Sequence, residues 1–190
     1  MSYKHIALLG KAGAGKDTIA DRLTKAHLFT RVAFADPLKV MALRIDPFIP
    51  TTDRVSVRLS RLVADTGWDY AKRTYPEVRR ILQECGQTVR GLEPSFWLDL
   101  ALAKIDVAST WNLPVVVTDV RYRNEAEALR NRGFLLVRVV RDDAASLTTE
   151  AAAHDSETEL DDLQPHRFVF NVGTRDDLNE LADLLVTPKR

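Results

Sequence analysis

The stretch Gly10-Lys11-Ala12-Gly13-Ala14-Gly15-Lys16-Asp17-Thr18 constrains this chain more than any other. It follows the apolar run His5 to Leu9, which reads as a buried strand. It precedes Asp17 to Ala26, where Ile19, Ala20, Leu23 and Ala26 recur at helical spacing. A glycine-rich turn between strand and helix aims successive backbone N–H groups at one anion, and the helix start adds its partial positive charge. Lys16 is then placed to reach the outer phosphates of a bound polyphosphate.

The loop departs from the G-x-x-x-x-G-K-S/T pattern because Asp17 stands at the hydroxyl position and Thr18 follows it. Two like charges about 4 Å apart cost on the order of 4 kcal/mol at an effective dielectric near 20. A carboxylate beside a polyphosphate therefore needs either a cation or an outward orientation. Mg²⁺ held through water by Asp17, Thr18 and a strand-end Asp119 would supply the first. Switch GTPases and motor ATPases place the hydroxyl directly on the metal, so its loss points to a kinase of small molecules instead.

Four further runs read as strands of the same sheet: Leu28 to Phe34, Pro114 to Thr118, Phe134 to Val140 and Phe168 to Phe170. Helical patterns at Asn124 to Asn131 and Asp176 to Leu185 alternate with them, which predicts right-handed crossovers and a five-stranded parallel sheet covered on both faces. The interval Asp36 to Asn112 contains no convincing strand and reads as all-helical. Pro37 to Arg44, Val55 to Ala64, Trp68 to Arg73, Pro76 to Val89 and Ser95 to Ser109 are its expected helices, broken at Pro47, Pro50, Gly67, Gly91 and Pro94. A chain of 190 residues with 45% hydrophobic and 28% charged residues suits one domain. Its core is expected at 1–35 and 113–190, with a helical insertion at about 36–112.

Equal numbers of basic and acidic residues, 27 each, argue against a nucleic-acid or anionic-membrane partner. The single cysteine, Cys85, excludes an internal disulfide and suits a reducing compartment, and no apolar run is long enough for a signal peptide or a membrane span. A cytoplasmic protein is expected.

In open α/β sheets ligands bind at the carboxyl ends of the strands. That rule places Asp119, Arg121 and Glu125, just after the Val115-Val116-Val117-Thr118 strand, near Lys16. Six arginines lie between Arg121 and Arg141, and the next stretch, Asp142 to Asp162, has eight acidic residues and no Lys or Arg. This second stretch reads as a short lid at about 142–162, with Arg141 at its root as an arginine that neutralises charge on a transferring phosphoryl group. Four scattered histidines and one cysteine form no metal-ligand cluster, so His154 and Glu157 are not read as a zinc site.

With these residues in view, the chain resembles the phage-type deoxynucleoside monophosphate kinases. The resemblance rests on an ordered set of blocks. These are Gly15-Lys16-Asp17-Thr18, Phe34-Ala35-Asp36-Pro37-Leu38-Lys39, Val78 to Gly86 followed by Phe96-Trp97, Asp119-x-Arg121-x-x-x-Glu125, Val139-Val140-Arg141, His154-x-Ser156-Glu157 and Asn171-x-Gly173-Thr174. It implies a three-layer α/β fold of nucleoside-monophosphate-kinase type, with a helical substrate-binding insertion and a lid. It also implies ATP and Mg²⁺ as cofactors. Gly10, Lys11, Ala12, Gly13, Ala14, Gly15, Lys16, Asp17 and Thr18 would take the ATP phosphates, with Asn171 and Thr174 as a loose adenine contact. Asp36, Lys39, Arg79, Arg80, Gly86, Gln87, Trp97, Asp119, Arg121 and Glu125 would hold the nucleoside monophosphate, Arg80 and Arg121 gripping its phosphate and Trp97 offering a flat face. Lys16, Asp17, Arg121 and Arg141 form the implied catalytic set. A homodimer is implied by the resemblance alone, as is residence in a host cytoplasm if the chain is phage-encoded.

The expected reaction is transfer of the γ-phosphoryl group of ATP to a (deoxy)nucleoside 5′-monophosphate. Two alternatives share the phosphate loop: another small-molecule kinase, of dephospho-coenzyme A or phosphomevalonate type, and a nucleotide-binding module that transfers nothing. Where the family commonly has Gly-Thr, this chain has Gly86-Gln87, a departure on the acceptor side.

Overall fold

Ile6–Leu9 and Val115–Val117 are apolar at every position, and a strand apolar on both faces is stable only inside a sheet covered on both sides. The computed structural model describes residues 3–52, 54–141 and 159–186 and places both runs there. In chain order the elements are β1 (Ile6–Leu9), α1 (Lys16–His27), β2 (Thr30–Val32), α2 (Ala35–Ile45), β3 (Phe48–Thr52), β4 (Val55–Arg58), α3 (Leu59–Thr74), α4 (Pro76–Leu92), α5 (Phe96–Thr110), β5 (Val115–Val117), α6 (Arg123–Asn131), β6 (Leu135–Val140), β7 (Arg167–Phe170) and α7 (Arg175–Val186). Residues 142–158 of the expected lid, with His154 and Glu157, lie outside the described residues, whereas 159–162 are described. Among the described residues no helix is long and apolar enough to cross a membrane.

The chain divides into two compact units, Met1–Ala33 with Ala101–Arg190, and Phe34–Leu100. The first contains the expected five-stranded parallel sheet, in the order β2-β5-β1-β6-β7. On one face Ile6, Leu8, Val116, Val137, Val139 and Val169 pack with Ile19, Ala20 and Leu23 of α1 and Leu178, Ala182 and Val186 of α7. Each such Val, Leu or Ile side chain contributes about 1.5–3 kcal/mol relative to exposure. The alternate residues Ala7, Leu9, Val115, Val117 and Leu136 are equally buried, so the other face is covered too and the architecture has three layers. At the margin Asp183 of α7 accepts hydrogen bonds from Arg22 of α1 at 2.9 and 2.7 Å and faces His27 Nε2 at 2.8 Å. The Arg22 guanidinium, with His27 assisting, holds the Asp183 pKa down at about 2.

The second unit is not all-helical. Phe48–Thr52 and Val55–Arg58 form an antiparallel hairpin, so the expected helix from Val55 starts only at Leu59. The β-branched Val55 and Val57 favour the strand, and Ile49 enters a core with Ala42, Leu59, Leu62, Ala71 and Val78. Pro50 sits where the pairing register shifts, a position open to proline because both strands of a two-stranded ladder are edges. Asp46 fixes the helix start, its Oδ1 accepting from the Ser60 N–H at 2.8 Å; that backbone bond holds its carboxyl below the usual range. Gly67 breaks α3 as expected, whereas α4 runs through Gly91 to Leu92.

Two histidines close the amino-terminal edge of the sheet by the same device. His5 Nδ1 accepts from the Val115 N–H and His166 Nδ1 from the Leu136 N–H, each at 2.9 Å. A protonated Nδ1 cannot accept, so both bonds require neutral rings. Burial pushes the His5 pKa below its ordinary value, and the ring stacks on Phe134 at 4.9 Å. The unfolded chain takes up a proton near pH 6.5 that native His5 resists, so this contribution is complete above that pH and lost as pH falls below it. Urea unfolding between pH 7 and 5 should show stability declining with pH. His5→Asn, whose side-chain oxygen accepts at either pH, should flatten that slope.

Candidate active site

The phosphate loop is wedged among strand ends. Gly10 has φ 131°, and a Cβ there would lie 2.3 Å from the Val139 carbonyl oxygen of β6. Gly15 has φ 107°, and its Cβ would meet Asn171 Nδ2 and Leu178 Cδ2 at 2.8 Å. Both glycines are demanded by backbone and by space. Asn171 Nδ2 also donates to the Ala14 carbonyl at 3.0 Å, while Lys16 Nζ donates to the carbonyls of Gly10 at 2.5 Å and Lys11 at 2.8 Å. Asn171, expected against adenine, therefore braces the loop from β7.

Parallel register gathers the other strand ends around it. Ile6 and Ala7 stand opposite Val116 and Val117, so the half-buried Asp119 leaves β5 beside the exit of β1. Leu9 pairs with Arg138 and Val140 with Phe170, which puts Arg141 and Asn171 at the same edge. Lys16, Thr18, Asp119, Arg121, Arg141 and Asn171 thus share the carboxyl edge of the sheet, where the topology of an open α/β sheet expects a ligand.

Three helices of this unit begin at that edge, and they differ in how their first N–H groups are satisfied. At α6 the Glu125 carboxylate, 2% exposed, accepts from the N–H groups of Arg121 at 2.9 Å and Tyr122 at 3.1 Å. Glu159 takes the next one, Arg123 N–H, at 2.8 Å. At α7 Thr174 and Asp177 form a reciprocal box: Asp177 Oδ2 accepts from Thr174 N and Oγ1 at 2.7 and 2.8 Å, and Thr174 Oγ1 accepts from Asp177 N at 3.2 Å. The helix α1 has no side-chain cap. Its glycine loop leaves the helix start open to an anion, with Lys16 in the first turn.

Several sequence-assigned side chains have other work. Glu125, expected on the substrate, caps α6 and fixes the backbone that carries Arg121. Thr174, expected near adenine, caps α7. Asp17 takes the outward orientation: its carboxylate is 79% exposed and ion-paired with Arg31, which also reaches Asp21 at 3.1 Å. Among the described residues no three His, Cys, Asp or Glu side chains cluster as a cage. Thr18 and Asp119 remain as oxygen donors, a set that suits Mg²⁺, which keeps much of its water and takes one or two protein oxygens beside the substrate phosphates.

In the second unit Asp36 Oδ1 accepts from Lys39 Nζ at 3.3 Å on α2. Arg80 is engaged along α4 by Glu77 at 2.7 and 2.5 Å and by Glu84 at 2.6 Å, which raises its pKa and lowers that of Glu77. Arg79, half-buried, has no ion pair among the described residues. Trp97 is 7% exposed and donates from Nε1 to the Gly86 carbonyl at 3.1 Å, tying α5 to α4. A Cβ on Gly86 would press Leu38 Cδ2 at 3.2 Å, so this glycine lets α4 approach α2. Trp97 and Gly86, both expected at the acceptor, hold helices together.

Three contacts had no local sequence signal. Arg31, Arg138 and Glu159 act on partners far along the chain. Arg138 donates to the carbonyls of Leu160, of Asp161 at 3.1 Å and of Leu163 at 2.9 Å, and Arg123 grips Asp162 at 2.6 and 2.7 Å. The segregation of six arginines before an acidic stretch was the only hint. If Glu125 is a cap, Glu125→Ala leaves two backbone N–H groups unsatisfied and should lower unfolding free energy by about 2 kcal/mol. Glu125→Gln, which retains an acceptor, should recover part of it in the same denaturant titration.

A sequence model of the deoxynucleotide monophosphate kinase family matches residues 54–181, starting beyond the phosphate loop. The uncharacterized protein ORF76 of Ictalurid herpesvirus 1 (strain Auburn) is 26% identical over 178 residues, 93% of this chain. The chain spans 64% of that relative's length. A dephospho-CoA kinase from Campylobacter jejuni shares the fold at TM-score 0.53 and 12% identity, covering 96% of this chain and 94% of that one. A sugar kinase from Janibacter sp. HTCC2649 reaches TM-score 0.46 at 15% identity over the same shares of the two chains. The family match runs from just before β4 into α7, well over half of the sequence, and the chain belongs to the deoxynucleotide monophosphate kinase family.

Proposed function

We propose that this protein transfers the γ-phosphoryl group of ATP to a deoxynucleoside 5′-monophosphate. The observation that carries the reading is the open start of α1, with Lys16 in its first turn, at an edge where α6 and α7 are closed by their own side chains. Family membership supplies the acceptor class.

A phosphate oxygen of the acceptor attacks the γ-phosphorus, the bond from that phosphorus to the β–γ bridging oxygen breaks, and ADP leaves with that oxygen. The protein's share is positioning and charge neutralisation. Lys16 exchanges the carbonyls of Gly10 and Lys11 for phosphate oxygens, and the loop N–H groups take the rest. Arg121, on backbone fixed by Glu125, faces the negative charge on the transferring group, with Arg141 beside it. Mg²⁺, held through water by Thr18 and Asp119, would screen the phosphates when bound. Of the adjacent arginines Arg79 and Arg80 on α4, Arg79 takes the acceptor phosphate, since Arg80 is already engaged by Glu77 and Glu84.

Lys16→Ala should depress turnover at least about a hundredfold with circular dichroism unchanged. Arg79→Ala should raise the KM for the acceptor by roughly ten- to a hundredfold, the loss of a charge-assisted hydrogen bond, and Arg80→Ala by less than about threefold. ADP release measured over the four deoxynucleoside monophosphates, their ribose counterparts, dephospho-coenzyme A and phosphomevalonate tests the substrate class. Stimulation by none of the deoxynucleotides would overturn the reading.

A further inference from the structure

Arg31 sits on β2, whose Val32 points into the core, so the pleat turns Arg31 to the opposite face. There the first turns of α1 present Asp17 and Asp21 four residues apart on one helical face, and one guanidinium spans both. Exposed ion pairs contribute little to folding. The location gives this pair a different consequence. Asp17 directly follows Lys16 in the first turn of the helix whose start receives phosphate, and it is the residue that stands where the usual loop has a neutral hydroxyl. Left alone, its carboxylate would repel the anion that Lys16 attracts. That repulsion, at about 4 Å, corresponds to roughly a five- to several-hundredfold loss of affinity between the dielectric of bulk water and that of a protein surface.

We propose that Arg31 is a positioning residue of the donor site: it holds the Asp17 carboxylate outward and neutralised, and so sets the affinity of the phosphate loop for a nucleoside polyphosphate. The proposal rests on the reading of Gly10 to Thr18 as the donor-phosphate site. It makes Arg31 and Asp17 a unit, in which a negative charge in the loop is tolerated because a positive charge from the neighbouring strand answers it.

Calorimetric titration of the folded protein with MgATP, MgADP and adenosine tests this in five variants: Arg31→Met, Arg31→Lys, Asp17→Asn, the Arg31→Met/Asp17→Asn double, and Lys16→Ala. Arg31→Met is expected to weaken MgATP about tenfold and MgADP less, with adenosine unchanged, since only the polyphosphate feels the released charge. Arg31→Lys should recover most of the affinity, and the double variant should return to within about twofold of wild type. A double variant as weak as Arg31→Met would overturn the proposal, because Arg31 would then be acting on the phosphates itself. So would equal weakening of adenosine and ATP, the mark of a merely structural role. Undiminished MgATP binding by Lys16→Ala would instead remove the reading of the loop on which the proposal stands.

Discussion

The contact between Gly10 and the Val139 carbonyl is the constraint from which the rest of the donor site follows. A Cβ at Gly10 would lie 2.3 Å from that oxygen, so β1 leaves the sheet pressed against the end of β6. The chain then curls through Lys11 to Gly15 past the carboxyl end of β6, toward Asn171 and α7. Gly15 lies hard against Asn171 and Leu178. The loop is thus held by backbone crowding on one side and by the Asn171 amide on the other, with its Ala14 N–H turned inward to the Lys11 carbonyl. A backbone braced on both sides needs little rearrangement of its own to meet an anion, whatever its side chains must exchange.

Electrostatic closure of the neighbouring helices complements that opening. Glu125 and Glu159 take three consecutive N–H groups at α6, and Asp177 and Thr174 close α7. An anion that reaches the sheet edge finds negative side chains at two helix starts and a glycine loop with a lysine at the third. Glu159 belongs to the segment that Arg123, Arg130 and Arg138 fasten by its carboxylates and carbonyls. These arginines hold the segment that carries Glu159 against β6 and α6.

What could be read from the sequence was what is contiguous in it. The central strands β1 and β5 announced themselves as unbroken apolar runs, and the loop as nine adjacent residues. The β3–β4 hairpin stayed hidden because Pro47 and Pro50 read as breakers and its strands are short; only packing of Ile49 with Leu59 and Leu62 reveals it. Family blocks located Glu125, Trp97 and Gly86 but could not separate a residue that touches a ligand from one that holds a helix. The difference lies in burial and hydrogen-bond partners, which depend on elements far along the chain. Arg31, fourteen residues from Asp17, carries no pattern of its own.

The zero net charge also has a physical reading. Arg22, Arg31, Arg61, Arg80, Arg123 and Arg132 are each matched by one or two carboxylates of the same chain. Much of the arginine excess over lysine, 19 against 8, is therefore internal fastening, suited to a planar group that binds carboxylates bidentately. A charge total cannot report on an anion site built from backbone dipoles and one lysine. At Asp17 the matched pair falls inside the phosphate loop itself. Neutrality there is local: one acidic side chain, tolerable beside a polyphosphate only while the arginine across from it stays engaged.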